Sequence, residues 1–134
     1  QAKIMNILID LQKQYDMTYL FITHDLGLMR NIASRVAIMY LGQFYELAPT
    51  HRFFEEPLHP YTKVLLSSFP TTTEEEEKMK PDIKAKGEIP SAIDPPSGCR
   101  FHTRCPYSDE KCRNQRPELV EVRKGHYVAC HQIG

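Results

Sequence analysis

The chain carries no excess of charge: 17 Lys and Arg balance 17 Asp and Glu. No global basic field speaks for nucleic acid, and no acidic field for a cationic partner. No apolar run approaches the roughly 20 residues that span a membrane. The first residues lack the charged region and apolar stretch of a secretory leader, so a cytoplasmic setting is the expectation. No internal repeat is visible. Cysteine is scarce, at four residues. In a reducing compartment four such thiols are metal ligands or free thiols sooner than disulfides. What is present, 134 residues with 41% hydrophobic content, suffices for one ordinary domain or a small domain plus an appendage.

The chain opens within a helical pattern. Ile4, Ile7, Leu8 and Leu11 recur at helical spacing, while Lys3, Asn6, Asp10, Lys13 and Gln14 are polar. No capping residue precedes them, which predicts that the sequence continues upstream. Thr18 to Thr23 is short, β-branched and aromatic, with apolar residues in succession. That pattern predicts a strand buried on both faces, as in a parallel sheet covered by helices. His24 follows at the strand's carboxyl end, where open α/β sheets bind ligands. Leu26 to Ala33 predicts a helix, with Asp25 as a potential cap.

Arg35 to Tyr40 again reads as a buried strand, and Leu41-Gly42 as the turn into a further strand over Gln43 to Leu47. Thr50 to Glu55 predicts a short helix capped by Thr50. Pro57-Leu58-His59-Pro60 breaks the chain, and Pro60 suits the first turn of a helix carrying Tyr61, Val64, Leu65 and Leu66. Phe53, Phe54, Tyr61 and Leu65 read as core. Residues 71–86, with Glu74 to Glu77 and then Lys78, Lys80, Lys84 and Lys86, form a polar linker. From Gly87 onward Pro, Gly and Cys dominate. The expected division is therefore 1–70, linker 71–86, and a small irregular cysteine-rich region over 87–134.

The cysteines are spaced Cys99-x5-Cys105-x6-Cys112-x17-Cys130. Four thiolates complete a tetrahedral zinc site or hold an iron–sulfur cluster. The spacing is neither the C-x2-C knuckle of zinc ribbons nor a simple ferredoxin run, so metal, cluster, free thiols and disulfides all stay open. His102, His126 and His131 are candidate substitutes in a zinc site, with surface or supporting imidazole the plainer reading. Arg100, Arg104, Arg113 and Arg116 stand around Phe101 and Tyr107, a composition also met in nucleic-acid knuckles. Yet residues 89–134 hold seven Lys/Arg against five Asp/Glu, a surplus too small for a strong phosphate footprint. Arginines near thiolates have a sufficient local reason in offsetting their charge.

Ile22-Thr23-His24-Asp25-Leu26 resembles the switch-histidine segment of ABC transporter ATPases. Arg35 to Gln43 looks like the strand and turn after that histidine. Glu56 to Leu66 is similar to a segment of the oligopeptide and dipeptide importer branch. Gly87 to Ser91 and Pro95 to Pro106 resemble its C-terminal extension. The resemblance implies the C-terminal part of a P-loop α/β ATPase domain, followed by the cysteine-rich extension. It implies ATP and Mg2+ in the intact subunit, with His24 touching the γ-phosphate. It implies a [4Fe–4S] centre on Cys99, Cys105, Cys112 and Cys130, zinc remaining the alternative. Its partners would be a second ATPase subunit and membrane permease subunits, at the cytoplasmic face of the membrane.

The sequence departs from the family in having no Gly-x-x-x-x-Gly-Lys-Ser/Thr phosphate loop, no LSGGQ-type signature and no Walker B carboxylates. By resemblance Gln1 lies just past the D-loop. Phosphoryl transfer needs the phosphate loop, magnesium and a water-orienting group, so the expectation is that these residues alone do not hydrolyse ATP. In the family sheet the Walker A strand lies between the strands of His24 and Val36. Without it, unpaired edges invite self-association. The competing reading is a stand-alone metal- or iron–sulfur-binding interaction module, which requires residues 1–70 to be self-sufficient in fold.

Overall fold

A computed structural model describes residues 2–133. Helix α1 (Ala2–Tyr15) ends where Asp16 turns left-handed, at φ 54°. Ile4 and Ile7 lie exposed, while Leu8 and Leu11 are half-buried. The Tyr19 hydroxyl donates to the Leu8 carbonyl at 3.0 Å and ties the next segment to the helix. That segment is not the predicted strand. Residues 17–23 are irregular, with Leu20 89% and Ile22 92% exposed; only Phe21 packs against a core. A strand needs a neighbour for its backbone groups, and the described residues place none beside it.

Asp25 caps α2 (Leu26–Ile32) by accepting the Leu28 N–H at 3.1 Å. Strands β1 (Arg35–Tyr40) and β2 (Gln43–Pro49) then form the expected hairpin. Leu41 and Gly42 both adopt positive φ, 47° and 81°, the backbone that matches a two-residue turn to the strands' right-handed twist. β1 is not buried on both faces. Val36, Ile38 and Tyr40 face inward and alternate with exposed Arg35, Ala37 and Met39.

Helix α3 (Thr50–Glu55) follows without a side-chain cap. Thr50 is its first residue and not its cap; its hydroxyl donates instead to the Ala33 carbonyl. Helix α4 (Pro60–Ser67) begins on Pro60, as its fixed φ favours. Phe53 is fully buried, and Phe54, Tyr61 and Leu65 pack around the same core. The polar linker holds a helix of its own, α5 (Glu74–Met79), capped by Thr73. Helix α6 (Glu110–Asn114) and the hairpin β3 (Val120–Arg123) and β4 (His126–Val128) complete the chain.

The expected parallel sheet is absent among the described residues. One antiparallel sheet runs β1-β2-β4-β3. β4, from the far side of the linker, pairs with β2 through Glu46↔Val128 and Leu47↔Tyr127. The cysteine-rich region is thus joined to the first hairpin by main-chain hydrogen bonds. The β1–β2 register slips where Ile38 faces Glu46 and Met39 faces Phe44, leaving Tyr45 as the extra residue. Such a bulge turns consecutive side chains out of strict alternation. It explains why Tyr45 and Glu46 are both buried.

Two cores adjoin the sheet. One gathers Met29, Val36, Ile38, Ala48, Phe53 and Leu66 from α2, the hairpin, α3 and α4. The other gathers Tyr40, Tyr45, Phe101, Ala129 and the thiols of Cys99, Cys105 and Cys112. Among the described residues no helix is long and apolar enough to cross a membrane.

Candidate functional site: a cysteine cavity on the second core

Four local structures bring the cysteines together. Gly98 sits at φ +67°, and a Cβ there would stand 2.4 Å from the Cys112 carbonyl oxygen. Only glycine permits that approach, which lets the Cys99 N–H donate to the Cys112 carbonyl at 2.8 Å. A tight turn carries the chain from Cys99 to Cys105, with the Cys105 N–H donating to Phe101 O at 3.0 Å. Asp109 caps α6 by accepting the Cys112 N–H at 3.0 Å; these bonds hold its carboxyl down at about 2. Cys130 follows β4 and is positioned by the Ala129 N–H, which donates to Tyr45 O at 2.9 Å.

The result is one small cavity lined by Cys99, Cys105, Cys112 and Cys130, with His59, Phe101, His102 and His131 at its walls. All four cysteines are free thiols. Burial pushes the Cys99 and Cys105 thiols up. Burial, reinforced by the other three sulfurs, pushes Cys130 up to about 11. The enclosure therefore favours neutral thiols unless a cation arrives to hold the thiolates. Among the described residues no three His, Cys, Asp or Glu side chains are grouped to hold a single metal ion.

The candidate histidines are committed elsewhere by at least one nitrogen. His102 Nδ1 lies 2.8 Å from Cys99 O, and His131 Nε2 lies 2.7 Å from Gln115 O. His126 is fully buried, with Nε2 2.6 Å from Glu46 Oε2. Of the arginines, Arg100 donates from Nη1 to Leu41 O, and Arg104 lies over the Phe101 ring. With its amide oriented to satisfy its neighbours, Gln43 donates to the Tyr45 hydroxyl at 3.1 Å. Its oxygen accepts from Arg100 Nε at 3.1 Å and Arg116 Nε at 3.2 Å. The Arg100 N–H also donates to the Tyr45 hydroxyl, at 2.8 Å. Arg100 and Arg116 are thereby both engaged by Gln43.

Three residues escaped sequence reasoning as parts of this neighbourhood: Tyr45, Glu46 and His59. Glu46 is fully buried and accepts the Leu58 N–H at 3.0 Å and the His59 N–H at 2.8 Å, besides facing His126. It locks the Pro57–Pro60 break to both strands of the β2–β4 pair. His59 is 1% exposed and stacks on Tyr45 at 4.7 Å. Burial holds its imidazole neutral, its pKa lowered to about 3. A carboxylate inside an apolar strand and a histidine between two prolines were the available signals.

His24 stands apart from this cavity. It is exposed at the bend before α2 and is not among the residues lining the cysteines.

Residues 45–112 match the family described as "Oligopeptide/dipeptide transporter, C-terminal region". The chain is 47% identical over 131 residues to the oligopeptide transport ATP-binding protein AppF of Bacillus subtilis (strain 168), covering 98% of this chain and 40% of that protein. It is 44% identical over 131 residues to the di/tripeptide transport ATP-binding protein DppF of Pseudomonas aeruginosa (strain UCBPP-PA14), with the same 98% and 40% coverage. It is 41% identical over 133 residues to the dipeptide transport ATP-binding protein DppF of Haemophilus influenzae, covering 99% of this chain and 40% of that protein. The chain thus spans about 40% of the length of these relatives.

Proposed function

We propose that this chain, which belongs to the oligopeptide/dipeptide transporter C-terminal region family, is part of an ATP-binding subunit that powers peptide import across a cell membrane. The observation that carries this reading is identity of 41 to 47% along 98 to 99% of the chain to subunits named for peptide transport. The subunit would act on the cytoplasmic face, against permease subunits and a second ATPase subunit. In it His24 would contact the γ-phosphate of Mg-ATP. Its exposure at a bend, with Thr23 and Asp25 bonded to neighbouring backbone, leaves the imidazole free for a ligand. The 134 residues contain no phosphate loop, so the chain by itself would not turn over ATP.

Uptake of a labelled oligopeptide by cells lacking the intact gene tests the reading. The wild-type gene should restore uptake, and H24A should leave it at the background of the deletion strain. Restoration by H24A would remove His24 from the mechanism; no restoration by wild type would remove peptide import. For the purified 134 residues, ATP turnover comparable to that of an intact subunit would contradict the inactive reading. Exposed Leu20 and Ile22 support self-association of the chain in isolation, which sedimentation velocity reports directly.

For the cysteines we propose an iron–sulfur cluster, with zinc as the alternative. Their convergence on one cavity is what supports a shared site for them. Cys99, Cys105, Cys112 and Cys130 would hold either group through their thiolates. The four thiols lining one cavity are the observation that supports either group, and the cluster is preferred on the family resemblance. When bound, such a group supplies one-electron chemistry or a structural cross-link. The chain's own contribution is to bury the sulfurs between β4, α6 and the 99–105 turn. Iron, sulfide and zinc assays on protein purified without oxygen separate the cases.

A further inference from the structure

His59 has a role that its burial alone does not explain. Its Nδ1 accepts the Tyr61 N–H at 3.0 Å, as the cap of α4. An imidazole nitrogen that accepts carries no proton, so in the neutral ring the proton sits on Nε2. That Nε2–H is buried and has no hydrogen-bond partner. The Ala129 main chain is the nearby group that favours its charged form, without reaching hydrogen-bond geometry. His59 is also one of the residues lining the cavity of the four cysteines. A buried donor without an acceptor is rare, and here the residue that carries it lines a space bounded by sulfur.

The ring is held in place on several sides. Tyr45 stacks on it at 4.7 Å and 23°, and Phe101 meets it edge-on at 6.1 Å. The His59 N–H is fixed to Glu46 Oε1 at 2.8 Å. Backbone, ring plane and tautomer are thus set by separate contacts, and the remaining freedom of Nε2–H is small.

We propose that His59 is a positioning residue of the cysteine site: its Nε2–H donates to sulfur of the group bound there and raises the reduction potential of that group. The inference rests on the iron–sulfur reading of the four cysteines. A donor near a cluster sulfur stabilises the more negative, reduced state. It does so without ligating iron.

The test compares wild type, H59F and H59N after anaerobic reconstitution with iron and sulfide. Iron and sulfide content is measured first, then the midpoint potential by dye-mediated titration followed by electron paramagnetic resonance. Phe keeps a ring against Tyr45 but lacks the donor, whereas Asn keeps both an acceptor for the Tyr61 N–H and a donor. H59F should load fully and shift the reduction equilibrium about tenfold toward the oxidised form, ~59 mV for one electron. H59N should lie closer to wild type. Full loading of H59F with an unchanged potential would overturn the proposal and assign Nε2–H to the Ala129 carbonyl.

Should H59F not fold, 15N-histidine labelling in an H102Q/H131Q background gives a second readout. A nitrogen hyperfine coupling in the reduced cluster supports the proposal, and its absence removes it. A wild type that takes up no iron or sulfide overturns the cluster reading itself, an outcome distinct from an unchanged H59F potential.

Discussion

Glu46 shows how much a single side chain can organise. Its carboxylate, fully buried, takes hydrogen bonds from two successive backbone N–H groups and from His126 on a strand 80 residues away. Buried polar groups survive in folds when their partners are complete. Removing this acceptor strands three donors at once. E46A should therefore destabilise the protein by about 3–5 kcal/mol, read as a lower midpoint in chemical denaturation. E46Q should cost less, because its amide oxygen still accepts from Leu58 and His59. Equal losses for the two variants would show that the charge, and not the acceptor geometry, carries the stability. The local sequence marks Glu46 only as a carboxylate within an apolar strand. Its burial depends on the bulge at Tyr45 and on β4, a partner supplied from the other end of the chain.

At the scale of elements, short-range signals read well where the chemistry is local. Asp25, Gly42 and Pro60 all act as their residue types suggest: a cap, a positive-φ turn and a helix start. Thr50 did not, because its hydroxyl found the Ala33 carbonyl instead of its own helix. The linker's glutamates gave no periodicity, yet Thr73 accepts the Glu76 N–H at 3.1 Å and starts α5. Four acids in that first turn also suit the helix dipole. T73A should remove about 1 kcal/mol of local helix stability. Hydrogen exchange should quicken over residues 74–79 and stay unchanged in β1 and β2.

Gly98 is the more consequential backbone position. A methyl group there meets main-chain atoms of Cys112 and Arg113 at 2.4 to 2.7 Å, with φ already positive. G98A should cost roughly 1–3 kcal/mol and separate Cys99 from Cys112. Lower iron and sulfide loading, at unchanged sheet content by circular dichroism, is the expected signature. Full loading would mean that the turn yields without moving the thiols.

At the scale of the whole molecule, the fold depends on closing residues 35–49 against residues 120–130. The β3–β4 hairpin covers the outer edge of β2, brings His126 to Glu46 and delivers Cys130 to the cavity. Ending the chain after Leu119 should therefore expose the β2 edge, leave Glu46 short of a partner and abolish cooperative unfolding. Association in sedimentation is the accompanying expectation; a monomer with a sharp transition would contradict it. The segment 17–24 stands at the opposite extreme. Its backbone has few internal partners, so its amides should exchange at the earliest time points while those of β2 remain protected.

The sequence by itself determined the hairpin, the helix starts at Asp25 and Pro60, the cysteine spacing and the likeness to peptide-importer ATPases, because each rests on residues close together along the chain. Only the tertiary structure decided which strands pair, that residues 18–23 stay unpaired, that Tyr45 and His59 stand beside the thiols, and that Glu46 is buried against His126. A strand-like segment becomes a strand only when another backbone lies beside it. A polar residue becomes part of a buried site only when distant segments enclose it. Both conditions depend on long-range closure, which residue type and local period do not encode.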